Sequence, residues 1–121
     1  MKYLLLIYQN EEASRTEAEV DRATLLAEYE GFNAEFGSRG MLVGGAELHG
    51  TAAATTVRLR EGNLLLTDGP FIETKEQLAG YYVVDCETLD EALEAAAAIP
   101  GARFGAVEVR PQVDGVGPAE V

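Results

Sequence analysis

Residues 2–8 alternate Tyr3, Leu5 and Ile7 with Leu4, Leu6 and Tyr8, so a strand here is apolar on both faces. Tyr81-Tyr82-Val83-Val84 repeats that property near the other end. A strand of this kind has to be covered on both sides. The chain offers two helices for the task. The first is expected over residues 17–38, opened by the capping box Thr16-Glu17-Ala18-Glu19 and stopped at Gly40. Leu25, Tyr29, Phe32 and Phe36 form its apolar stripe, at intervals of four, three and four. The second opens at Thr88-Leu89-Asp90-Glu91, runs through alanines and ends at Pro100-Gly101. Two helices cover one face of a sheet, so a second subunit is expected on the other.

Further strands are expected at 41–48, 55–60, 64–67, 81–86 and 105–110. Gly44-Gly45 marks a bulge or a close backbone approach, and Glu61-Gly62-Asn63 a turn. The order is strand, helix, two or three strands, strand, helix, strand. That is the α+β, ferredoxin-like plan β-α-β-β-(β)-β-α-β, with two helices on one face of the sheet. Residues 1–110 read as one domain, and 111–121, with prolines and glycines, as a loose tail.

Asp68-Gly69-Pro70-Phe71-Ile72-Glu73-Thr74-Lys75-Glu76-Gln77-Leu78-Ala79-Gly80 combines a turn, a charge cluster and a glycine before an apolar strand. Pro70 pushes Gly69 towards extended conformations, and Asp68 is placed to bond backbone amides two residues on. This run resembles the signature of the DGPF proteins, a branch of the YCII-related family. The likeness continues in Met1-Lys2-Tyr3-Leu4-Leu5-Leu6-Ile7-Tyr8, Leu42-Val43-Gly44-Gly45-Ala46-Glu47-Leu48 and Val107-Glu108-Val109-Arg110-Pro111. The resemblance implies a cytoplasmic protein whose ferredoxin-like subunits pair as a dimeric α+β barrel. It also implies a regulatory role linked to sigma-factor systems, with a sigma-factor-associated protein as partner. Relatives in other branches carry a histidine–aspartate pair with the histidine in the first helix, and that helix has none here.

Charge narrows the partners. Nine basic and 21 acidic residues give a net charge of −12, which repels phosphate backbones and anionic membrane surfaces. Neither nucleic acid nor membrane is an expected partner. A single cysteine, Cys86, excludes an internal disulfide and suits a reducing compartment. One histidine and one cysteine build no multi-histidine or thiolate metal site, and no glycine-rich stretch matches a phosphate or dinucleotide cradle. No metal and no cofactor are expected.

The chemistry-bearing residues are few. His49 follows the second strand and is either a general base at a pocket mouth or an exposed loop histidine. Asp68 either caps its own turn or holds a carboxylate at a cavity rim, as a proton acceptor or relay. Glu73 and Lys75 share a face if the segment is extended, as a solvated ion pair or as an anion-binding lysine positioned by glutamate. Thr56, Arg58 and Arg60 share a strand face that either grips a carboxylate or charges an edge strand. Tyr82 lines a small-molecule cavity or packs in the core. Cys86 lacks a basic neighbour in sequence and is expected to be inert.

Two functions fit this set. One is a dimer that binds a small anionic or polarised molecule without catalysis, using Arg58, Glu73, Lys75 and Tyr82. The alternative is a small enzyme of lyase or isomerase type, moving protons on a small cyclic or aromatic acid through His49 and Asp68.

Overall fold

The computed structural model describes residues 1–13 and 22–115. The capping box at residues 16–19 lies outside them. Residues 11–13 are helical, and the complete elements among the described residues are β1 (Lys2–Gln9), α1 (Arg22–Ser38), β2 (Leu42–Glu47), β3 (Thr55–Arg60), β4 (Asn63–Asp68), β5 (Gln77–Asp85), α2 (Leu89–Ala98) and β6 (Ala106–Pro111). Short 3₁₀ turns occupy Thr51–Ala53 and Pro100–Arg103. The main sheet has the order β2-β5-β1-β6, antiparallel throughout, as in ferredoxin-like folds.

Local chemistry sets the boundaries. α1 ends where Gly40 adopts φ +71°, Met41 N–H bonds to Phe36 C=O and Gly40 N–H bonds to Gly37 C=O. That pairing is a Schellman stop. α2 starts at Thr88, whose hydroxyl accepts from Glu91 N–H, while the Glu91 carboxylate meets the same hydroxyl. Ala92, Ala95 and Ala96 are buried, and such small side chains let the helix lie close to the sheet. Leu5, Val84, Phe36 and Ile99 are the largest fully buried side chains.

Both faces of β1 are apolar, as its sequence indicates. Tyr3, Leu5 and Ile7 are buried towards the helices. Leu4 and Leu6 on the other face are half-buried, opposite Val83 and Tyr81 of β5. The helical stripe divides. Phe32 and Phe36 enter the core, whereas Leu25 and Tyr29 stay half-buried beside a cleft.

β3 and β4 depart from the expected plan. They form a separate two-stranded hairpin rather than extending the main sheet. Glu61 (φ 51°) and Gly62 (φ 79°) make the two-residue turn with positive φ at both positions, which suits the twist of a tight hairpin. At the base, Gly69 N–H bonds to Ala54 C=O, closing the hairpin on itself. β5, meanwhile, takes the place between β2 and β1. Val57 opposes Leu66 and Leu59 opposes Leu64, so one hairpin face carries four aliphatic side chains. They are 61%, 64%, 65% and 62% exposed, respectively, so no described residue covers this face.

Candidate ligand-binding cleft

On the helix side of the sheet, the first half of α1 stands away from the ends of β1, β2 and β5. A cleft of about 1160 Å³ opens there, closed at its mouth by residues 48–52 and by Thr74, Lys75 and Gln77. Two glycines shape its wall. A side chain at Gly45 would place its Cβ 2.6 Å from the Tyr81 carbonyl and 2.9 Å from the Tyr82 ring. One at Gly80 would meet the Ala46 carbonyl at 2.8 Å. Their absence lets β2 and β5 close up while the Tyr82 ring lies over β2. A bulge at Val43 adjusts the same pairing.

The inner wall is phenolic. Tyr82 Oη donates to Asn33 Oδ1 at 2.7 Å, and its ring packs 4.8 Å from that of Phe32. Burial pushes the Tyr82 phenol up to about 12, with Tyr29 adding to the shift. Burial also raises the Tyr29 phenol and the Glu47 carboxylate adds to this, while the Gly101 backbone opposes the rise. Both phenols are therefore protonated at neutral pH.

The mouth is charged. Glu11 accepts from the Thr51 N–H and hydroxyl, each at 2.8 Å, and Glu11 N–H donates to Gln77 Oε1 at 3.0 Å. These bonds tie the end of β1 to the 3₁₀ turn and to the start of β5. Arg22 of α1 pairs with Glu47 of β2 at 3.2 Å, and Glu47 acts on Tyr29 deeper in the cleft. Lys75 and His49 also line the cleft, and neither has a carboxylate partner among the described residues.

Three of the six residues singled out from sequence meet in this cleft: His49, Lys75 and Tyr82. Asp68, Arg58 and Glu73 do not line it. Asp68 ends β4 opposite Thr55, and its carboxylate makes no hydrogen bond among the described residues, so it does not cap the turn as expected. Gly69 at φ +95° makes that turn instead of an extended residue, and the Thr56 hydroxyl holds it by donating to Gly69 C=O at 2.8 Å. Arg58 lies on the hairpin opposite Leu65. The 73–76 segment is bent rather than extended, with the Thr74 hydroxyl donating to Glu76 C=O and Gln77 Nε2 to Thr74 C=O. Thr74 and Lys75 consequently both line the cleft, whereas Glu73 is left outside and forms no ion pair with Lys75.

Sequence reasoning missed Glu11, Arg22, Tyr29, Asn33 and Glu47 as lining residues. Tyr29 was visible only as part of an apolar stripe, and its hydroxyl was the available signal. Burial raises the Cys86 thiol above its ordinary range, and its Sγ donates to Thr88 C=O, in keeping with an unreactive thiol. Among the described residues, no three His, Cys, Asp or Glu side chains converge on a metal-sized site, and no helix is long and apolar enough to cross a membrane.

Residues 1–114 match the YCII-related domain. The chain is 36% identical over 113 residues to an uncharacterised protein of Rhizobium meliloti (strain 1021), covering 92% of this chain and 91% of that one. The chain belongs to the YCII-related family.

Proposed function

We propose that the chain works as a homodimer that binds a small anionic or polarised molecule in the cleft beside α1. The observation that carries this is the placement of Lys75. It is one of only two lysines in a chain of net charge −12, it lines a cleft, and no carboxylate among the described residues neutralises it. A cation left unpaired at the mouth of a cleft meets an anion without first giving up a protein partner. His49 stands at the same mouth as a second polar contact.

Binding without turnover is the favoured reading, because His49 has no carboxylate to orient it among the described residues and Asp68 lies elsewhere. A thermal-shift screen of the full chain against small carboxylic acids tests the proposal. A ligand that binds only the folded state raises the melting temperature by mass action. Lys75-dependent shifts support it, and a panel without shifts refutes it.

The dimer rests on two apolar surfaces that the subunit leaves open. One is the sheet face of Leu4, Leu6, Tyr81 and Val83; the other is the hairpin face of Val57, Leu59, Leu64 and Leu66. A second copy supplies an apolar counterpart for both at once. The hairpin over 55–68 is also close to neutral, with Arg58 and Arg60 against Glu61 and Asp68. Pairing there brings together the part of each chain that contributes least to mutual repulsion.

A further inference from the structure

The cleft has two chemically different ends, and the inner one offers neutral hydrogen-bond donors. There, the Tyr29 hydroxyl lines the cleft beside Gly101, whose backbone lowers the phenol against the rise caused by burial. The phenolic proton has no acceptor among the described residues. Asn33 Oδ1 is occupied by the Tyr82 hydroxyl, which fixes the side-chain amide with its NH₂ group unpaired among the described residues. The chain therefore presents two neutral donors at this end, and the Asn33 amide is oriented by the bond on its oxygen.

We infer that this inner end recognises an uncharged carbonyl or hydroxyl oxygen, held by the Tyr29 hydroxyl and the Asn33 amide, so that the ligand is a small carboxylic acid bearing an oxo or hydroxyl group remote from its carboxylate. The inference rests on the reading of the cleft as an acid-binding site with Lys75 at its mouth. Charge gives the ligand its direction. Glu47 and Glu28 both raise the Tyr29 phenol, and the one cation that opposes them, Arg103, is paired with Glu28. A carboxylate placed at the inner end would therefore face a like charge. The cation nearest the Glu47 carboxylate, Arg22, is already engaged by it at 3.2 Å. The unengaged cation is Lys75, and it lies at the other end. From Gln77 to Tyr82 the wall of β5 runs roughly 16 Å at the usual strand rise, room for one ring with a substituent at each end.

Donors that a bound ligand covers discriminate against a ligand lacking the matching acceptor, because they are then cut off from water and left unpaired. Calorimetric titration of the full chain with 4-acetylbenzoate and 4-isopropylbenzoate compares two acids of nearly equal shape that differ in one carbonyl oxygen. The acetyl compound is expected to bind at least tenfold more tightly. Tyr29→Phe and Asn33→Ala should each narrow that ratio towards unity, and either variant suffices if the other folds poorly. Lys75→Ala should weaken both acids by a common factor and keep the ratio. Equal affinities in the wild type, with Lys75 still required, overturn the inference and leave the acid-binding reading standing. A ratio unchanged by Tyr29→Phe and Asn33→Ala also overturns it. Failure of both acids to bind overturns both readings.

Discussion

The Tyr82 hydroxyl donates to the Asn33 side-chain oxygen at 2.7 Å, and through that bond a central strand and the first helix share one wall of the cleft. The same tyrosine packs on Phe32, which itself packs on Phe36 at 4.8 Å in the core. The cleft wall is thus continuous with the core. Its donors stand on rigid elements, and loops supply the charged mouth.

Alkaline pH should loosen this wall. The Tyr82 phenol sits at about 12 in the folded chain against an ordinary 10.0, and Tyr29 is raised as well. Between these limits the unfolded chain has lost a proton that the folded chain retains, so stability falls as pH rises. The contribution is complete below pH 10 and disappears through pH 12. Urea midpoints of the wild type and Tyr82→Phe should converge over that window. Parallel curves would show that the phenol ionises equally in both states.

Gly45 should be intolerant of any side chain. Alanine there would press its Cβ against the Tyr81 carbonyl, which is backbone and cannot swing aside. Overpacking of this kind costs roughly 1–3 kcal/mol. Gly45→Ala should lower the urea midpoint accordingly and weaken acid binding, since the Tyr82 ring has to move too. Unchanged stability would place the strands farther apart than described.

In the signature run, the glycine should matter more than the aspartate. Gly69 holds φ +95°, where a side chain costs on the order of 1–3 kcal/mol. Asp68 makes no hydrogen bond among the described residues, and exposed substitutions of that kind usually stay within about 0.5 kcal/mol. Denaturant titration of Gly69→Ala and Asp68→Ala separates the two roles. A larger loss from Asp68→Ala would restore a capping function to the carboxylate.

Lys75 and Arg58 should differ in ligand binding, although both are scarce positive charges. Lys75→Ala should weaken a bound acid by tenfold or more with little change in melting temperature, because it removes the unpaired cation of the cleft. Arg58→Ala should leave affinity unchanged, because Arg58 stands on the hairpin. Calorimetry with benzoate checks both. Equal losses would mean that the hairpin of one subunit reaches the cleft of another.

Much of the scaffold was legible because short-range chemistry dictates it. The glycine at 40 stopped α1, Thr88 opened α2, and Glu61-Gly62 turned the hairpin, each through a backbone requirement set by a few neighbouring residues. The site was only partly legible, since its members come from β1, α1, β2, the 3₁₀ turn and β5. Lys75 and His49 could be suspected from scarcity alone. Glu11 and Glu47 could not, being two among 21 acidic residues until the fold brings one to Thr51 and the other to Arg22. Asp68 misled for the opposite reason. Its local pattern suits a cap, but Thr56 and Ala54, which adjoin Gly69 only once the hairpin forms, hold the turn instead.

Substitutions in the two open surfaces should have separable effects on assembly. Leu6 faces away from the helices in the middle of the sheet, opposite Tyr81, while Leu59 and Leu66 project from the detached hairpin. If both surfaces are covered by a second copy, a charge on either should oppose association, since burying an uncompensated carboxylate is strongly unfavourable. Leu6→Asp should give monomers and also lower stability, because Leu6 is already half-buried within the subunit. Leu59→Asp and Leu66→Asp should weaken the dimer with little effect on subunit stability, because both side chains are more than 60% exposed. Sedimentation velocity at low micromolar concentration reads the association state, and denaturant titration reads the fold. A wild-type monomer under those conditions would sink the dimer. A dimer broken by Leu6→Asp but unaffected by both hairpin variants would confine the interface to the sheet face and leave the hairpin free for another partner.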